Sequence, residues 1–236
     1  MSKTPATSNI DSGLPGIEPQ SAPVPSLRAA IVGSLAVAVL ALLLFSWLAE
    51  EVFEGGARRF DASVRTWVHQ FASPPLTSAM VAISALGSVV LAAAFIVALV
   101  IFLRLRWRRA AIWLLLTMAG GLILELTLKF AFHRPRPTPF FGPVPYTYSF
   151  PSGHSLMAFC IYGVLAGLLS HRIRSAAFRV LVWILAAALI GAIGLSRIYL
   201  GVHYPSDVLA GYLAAAVWVS TLIAADRVRR RKRDSQ

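Results

Sequence analysis

The stretch from Ser196 to Asp207, SRIYLGVHYPSD, places an arginine, a histidine and an aspartate at a break between two strongly apolar segments. Arg197 offers a planar, permanently charged fork that matches phosphate oxygens. His203 carries the one side chain whose unperturbed pKa, about 6.5, suits nucleophilic or acid–base work near neutral pH. Asp207 follows four residues later, past a proline suited to the first turn of a helix, so its carboxylate can reach back and orient the imidazole. The same stretch also fits a plain interfacial Arg–Asp pair beside an unrelated histidine.

Two further clusters carry related chemistry. Pro151-Ser152-Gly153-His154 reads as a helix N-terminus, where free amides and the positive end of the helix dipole favour an anion, and His154 stands next to it. Lys129 and Arg136 flank the start of a proline-rich segment and bring two more cations. Glu125 precedes Lys129 by four residues, which fits either a cavity-facing carboxylate or an intrahelical ion pair.

The elements that must position these residues are membrane spans. Of the 236 residues, 57% are hydrophobic, and the mean hydropathy is +0.70, too apolar for an ordinary soluble domain. The formal charge of +12 comes from basic residues that flank apolar runs, which argues against a nucleic-acid partner. A single cysteine, Cys160, excludes an intramolecular disulfide framework.

Residues 1–26 are rich in Pro, Ser and Gly without apolar periodicity and read as a disordered cytoplasmic tail. Six spans are predicted over the six-span domain 27–226, at residues 29–49, 76–103, 110–132, 152–170, 180–196 and 208–225, each long enough for a bilayer core of about 30 Å or nearly so. The fold class is therefore all-α, a six-transmembrane-helix bundle. Between spans one and two, Phe60, Val64, Trp67, Val68 and Phe71 recur at helical spacing, with Arg58, Arg59, Asp61 and Arg65 on other faces, predicting an interfacial amphipathic helix. Residues 133–151 hold six prolines and form a shaped loop. Tyr146, Tyr148, Tyr199 and Tyr204 fit an interfacial aromatic belt. His69, His133 and His171 read as bystanders. Residues 227–236 close the chain as a basic tail.

Six spans put both termini on one side. The tail before span one, the links after spans two and four, and the C-terminus hold 15 of the 22 Lys and Arg residues, which by the positive-inside rule face the cytoplasm. The three chemical clusters then meet at the opposite surface. That predicts a multi-pass protein of the inner membrane with its site on the extracytoplasmic face.

These clusters resemble the signature of the type 2 phosphatidic acid phosphatase (PAP2) superfamily. Lys129, six residues and Arg136-Pro137 match its first motif, Pro151 to His154 its second, and Ser196-Arg197, five residues, His203, three residues and Asp207 its third. Arg134 is a reserve for Arg136, at the wrong distance from Lys129. The resemblance implies that His203 attacks phosphorus to form a phosphohistidine, with Asp207 fixing its tautomer. It implies that His154 protonates the departing oxygen and then activates water. Lys129, Arg136, Arg197, the Ser152 hydroxyl and the amides near Gly153 would hold the phosphoryl oxygens, with no metal and no cofactor. Because the site lies at the membrane surface, the expected partners are membrane lipids and a lipid phosphate substrate: undecaprenyl diphosphate first, then phosphatidylglycerophosphate or phosphatidic acid. A phosphotransferase of the same superfamily and a non-catalytic membrane protein are the alternatives.

Overall fold

The computed structural model describes residues 27–234; the predicted N-terminal tail lies outside them. Eight helices follow in order: α1 (Leu27–Glu54), α2 (Arg58–His69), α3 (Pro74–Ala85), α4 (Val89–Arg104), α5 (Arg108–Phe132), α6 (Gly153–Ser170), α7 (Ala176–Tyr199) and α8 (Pro205–Asp234). Six helical segments are long and apolar enough to cross a membrane, α3 and α4 together making the second. The all-α, six-span architecture is as the hydropathy predicts.

The centre of the bundle is α6, whose small residues Ala158, Cys160 and Ala166 are buried along with Leu156 and Ile161. Leu114 of α5, Ile193 of α7, and Ala210, Ala214 and Ala215 of α8 share its core, and Phe45 and Leu48 extend that core to α1, which packs along α8. Outward-facing Leu, Val and Ile side chains cover the perimeter, as expected where lipid, not water, is the solvent.

Span two departs from its predicted continuity. The helix breaks at Leu86–Ser88, and the Leu86 carbonyl freed there accepts a hydrogen bond from the Tyr162 hydroxyl at 2.7 Å. Neighbours also crowd the break, because a Cβ on Gly87 would lie 2.6 Å from Ile193 Cγ2 and 3.1 Å from His154 Cδ2. At the other end of the chain, α8 runs on through the basic stretch to Asp234, longer than the predicted span.

The amphipathic helix forms as α2, with its apolar residues divided between the protein side and the exposed side. Phe60, Trp67 and Phe71 are exposed, whereas Asp61 and Val68 are buried against the protein. Val68 joins Ile198, Tyr199 and Val208 in a second core cluster, with Val64 packed against it, while Arg58 and Arg59 are exposed.

Links sort to the two ends as parity requires. At one end Arg227 donates to the Ala30 carbonyl, Arg109 pairs with Asp226, and Arg172 covers the Trp107 ring at 3.9 Å. At the other end the proline-rich loop lies on the α7–α8 turn, where the amides of Phe140 and Phe141 donate to the Leu200 carbonyl. Gly201 makes this approach possible, with φ at +75° and room for a Phe140 amide that would sit 2.5 Å from any Cβ. Arg65 of α2 ties down the same loop by donating to the Thr138 carbonyl at 2.9 Å. Tyr199 is not part of an aromatic belt. It is buried, its hydroxyl 2.8 Å from Thr77 Oγ1.

Candidate active site

His203 lies in the short turn between α7 and α8, almost wholly buried. Its Nδ1 is 3.3 Å from Asp207 Oδ2, one helical turn along, and the same oxygen accepts the Tyr204 amide at 2.9 Å. On the opposite side of the ring Arg136 Nη1 lies 2.9 Å from Nε2. Arginine has no acceptor, so Arg136 donates, Nε2 presents its lone pair, and the ring proton sits on Nδ1 facing the carboxylate. Burial pushes the imidazole pKa down to about 4, against the pull of Asp207, so near neutral pH the ring is uncharged with its lone-pair nitrogen aimed at Arg136.

The α6 N-terminus reaches the same place because the Ser152 amide donates to the Asp207 carbonyl at 2.9 Å. Gly211 permits this contact, since a Cβ there would lie 2.6 Å from the Ser152 carbonyl oxygen. Ser152 serves as N-cap, its hydroxyl accepting the Ser155 amide and pairing with Ser155 Oγ at 3.0 Å. In both contacts that hydroxyl accepts, so its own O–H is left to donate to an anion such as the phosphoryl oxygen it is predicted to hold. The first-turn amides of Gly153 and His154 have no acceptor within their own helix and suit an anion.

His154 packs against Gly87 in the break of span two and lies within electrostatic reach of Arg197, His203, Lys129 and Arg136. Arg197 donates to Ser84 Oγ from one terminal nitrogen, while its Nε is buried with no hydrogen-bond partner among the described residues. An orphaned guanidinium N–H in this position suits an anionic oxygen. Lys129 is buried and held by Glu125 at 2.7 Å, the intrahelical pair that the i, i+4 spacing allows. Glu125 also fills the space beside Gly153, where any Cβ would come within 1.9 Å of Oε1. Arg136 is anchored by the Thr147 carbonyl at 2.6 Å, Thr147 Oγ1 at 2.8 Å and the Val202 carbonyl at 2.9 Å. Burial lowers its pKa from the usual guanidinium value.

Arg134, the reserve phosphate ligand, stands behind the site. It bonds Asp207 Oδ1 at 2.5 Å, Asp61 Oδ2 at 2.8 Å and Ser206 Oγ at 2.8 Å, under the ring of Tyr204. Sequence reasoning missed Asp61 and Ser206. The Ser206 amide and hydroxyl, at the start of a helix, needed an acceptor, but nothing in the sequence said it would be Asp61, 145 positions earlier. His133 caps α5 edge-on to Tyr148, and His69 stacks on Phe140 at 4.0 Å.

Lys129, Arg136, Arg197, His154, His203 and Asp207 thus gather at one end of the bundle from four separate segments, and residues 110–231 match the PAP2 superfamily. The chain belongs to that superfamily. The superfamily match covers all three motifs, from Lys129 to Asp207. Phosphatidylglycerophosphatase B of Bacillus subtilis (strain 168) is 31% identical to it over 180 residues, 72% of this chain and 85% of that protein. An undecaprenyl-diphosphatase of Sulfolobus acidocaldarius is 32% identical over 123 residues, 50% of this chain and 55% of that protein. The crystal structure of a transmembrane PAP2-type phosphatidylglycerolphosphate phosphatase from Bacillus subtilis superposes with a TM-score of 0.73 at 27% identity, covering 81% of this chain and 96% of that one. These relatives are lipid phosphatases, and the solved Bacillus subtilis structure has the fold of this bundle.

Proposed function

We propose that this protein is an integral-membrane phosphatase that hydrolyses the terminal phosphate of a lipid phosphate or diphosphate through a phosphohistidine on His203. The observation that carries the reading is the setting of His203, its Nδ1 3.3 Å from Asp207 Oδ2 and its Nε2 2.9 Å from Arg136 Nη1. In the first step Nε2 attacks phosphorus, the P–O bond to the lipid breaks, and His154 donates a proton to the departing oxygen. Asp207 stabilises the positive charge that grows on the imidazole. In the second step His154 takes a proton from water, whose oxygen attacks phosphorus. The P–N bond then breaks to release inorganic phosphate. Lys129, Arg136, Arg197 and the first-turn amides of α6 hold the equatorial oxygens throughout.

The mechanism needs no metal. The acids at this end are already matched to cations, Glu125 to Lys129 and both Asp61 and Asp207 to Arg134, which supports a metal-free site. Lipid is the expected substrate class because the site gathers at one end of a bundle of membrane spans, next to a helix that leaves Phe60 and Trp67 exposed. Undecaprenyl diphosphate, which names one relative, is the leading candidate. Phosphatidylglycerophosphate, which names the relative spanning more of this chain, is its rival. We place both termini in the cytoplasm and the site on the extracytoplasmic face of the inner membrane, from the basic links at the far end.

The test is phosphate release by purified protein across undecaprenyl diphosphate, phosphatidylglycerophosphate and phosphatidic acid, with and without EDTA. Release from at least one lipid that survives EDTA is the expected result. Strong inhibition by EDTA contradicts the metal-free route, strict dependence on an added lipid hydroxyl points to a transferase, and no release from any lipid contradicts the phosphatase reading.

A further inference from the structure

We propose that Asp61, on the membrane-surface helix α2, is a positioning residue for the nucleophile: acting through Arg134, it governs how much negative charge Asp207 offers to His203. The inference rests on the reading of His203 as nucleophile and assigns a function to a helix outside all three motifs.

Asp61 is 1% exposed, and both of its oxygens are engaged. Oδ1 accepts the Ser206 amide at 2.9 Å, and Oδ2 accepts the Ser206 hydroxyl at 2.7 Å and Arg134 Nη2 at 2.8 Å. Arg134 Nη1 donates to Asp207 Oδ1 at 2.5 Å, and the other oxygen of Asp207 faces Nδ1 of His203. The order of contact is therefore Asp61, Arg134, Asp207, His203, with every link direct.

Two carboxylates share one guanidinium that cannot lose its proton. In an enclosed site of low dielectric, Asp61 draws part of the Arg134 charge to itself. Asp207 is left with more negative character toward the imidazole than a one-to-one pair would leave it. That charge is needed as His203 becomes cationic in the transition state. Asp61 touches no reacting atom, so it acts on the reaction only through this relay.

A purely structural role, capping α8 through Ser206, would use the same hydrogen bonds. Charge separates the two roles. The groups acting on His203 are Arg136 from the proline-rich loop, Arg197 from α7, Asp207 from α8 and His154 from α6, with Arg134, Asp61 and Arg65 behind Asp207. Removing the Asp61 charge makes the imidazolium less favourable and moves the acid limb of the rate profile to lower pH. Removing the Arg134 charge moves it to higher pH. The double variant has the same net charge as the wild type in this cluster, since the loss of one anion and one cation cancels.

The experiment measures kcat, KM and the pH dependence of kcat for full-length protein, on whichever of the three lipids above the wild type turns over fastest. Asp61→Asn is expected to lower kcat about tenfold to a hundredfold, the scale set by losing a charge-assisted hydrogen bond. KM stays near the wild-type value and the acid limb falls. Arg134→Gln raises the acid limb, and the double variant returns it toward the wild-type position. Asp61→Glu keeps the charge and keeps the limb in place even where its longer side chain lowers kcat. It therefore serves as the test if Asp61→Asn does not fold, and a displaced limb in it overturns the proposal. Wild-type kcat and limb in Asp61→Asn, or single variants that lose stability with the limb unmoved, overturn it as well and leave the phosphatase reading intact. Wild-type protein that releases no phosphate from any of the lipids overturns both.

Discussion

Gly87→Ala perturbs the site where the break in the second span packs against His154. A methyl group at position 87 would stand 2.6 Å from Ile193 Cγ2, 3.1 Å from His154 Cδ2 and 3.4 Å from His154 Cβ. Ile193 is fully buried and has little room to retreat, so the imidazole of His154 must shift by several tenths of an ångström. Misplacing a catalytic group by about 1 Å costs about a hundredfold, so a fraction of that shift is expected to lower kcat about tenfold. Overpacking of this kind costs about 1–3 kcal/mol, and the less flexible unfolded chain returns about 0.4–1 kcal/mol, for a net loss of about 1–2 kcal/mol. Phosphate release and thermal denaturation in detergent measure the two effects. Gly191→Ala is the control, because nothing lies within 4 Å of its added methyl, and it is expected to keep full kcat. If Gly87→Ala matched wild type in kcat, the packing of His154 against the helix break would have no bearing on the chemistry and the reasoning would fail.

Arg136→Lys keeps the charge but loses the fork that joins Thr147, Val202 and His203. Charge-assisted bonds of this type are worth about 1.5–3 kcal/mol, so kcat/KM is expected to fall at least about tenfold, and an unchanged kcat/KM would remove Arg136 from the site. A second expectation concerns acid stability. The His203 pKa is lowered by burial from 6.5 to about 4, so its contribution to stability is complete above pH 6.5 and is lost as pH falls from there to about 4. Thermal denaturation across that window is expected to flatten in His203→Asn, and an unaltered slope would show that the wild-type imidazole is not buried as a neutral ring.

The three motifs and six apolar runs made legible in the sequence which ionisable residues gather at one end of the bundle as the candidate site. Lys129, Arg136, His154, Arg197, His203 and Asp207 each belong to a local pattern whose spacing expresses a chemical need. The charge sorting of the links was equally readable, because spans alternate in direction. Three features were not. The break at Gly87 is hidden in an uninterrupted hydrophobic run, since it reflects packing against Ile193 and His154 from other helices. The engagement of the Ser152 hydroxyl with Ser155 could not be told from a free hydroxyl at the same position. Asp61 looked like one more charge on a polar helix face, and only the folded chain brings it to Ser206 and Arg134. The RPRP segment shows the same limit, for two arginines two residues apart take different jobs. Arg136 meets His203 while Arg134 turns to the carboxylates behind it.

The most direct measurement is the chemical identity of the reaction intermediate. Wild-type protein mixed briefly with a lipid substrate carrying a radiolabelled terminal phosphate, quenched in alkali and digested, is expected to yield one labelled peptide. Its phosphate should sit on Nε2 of His203, sensitive to acid, and be absent from His203→Asn. Label on His154 or on a hydroxyl or carboxylate, or steady turnover in His203→Asn, would contradict the account.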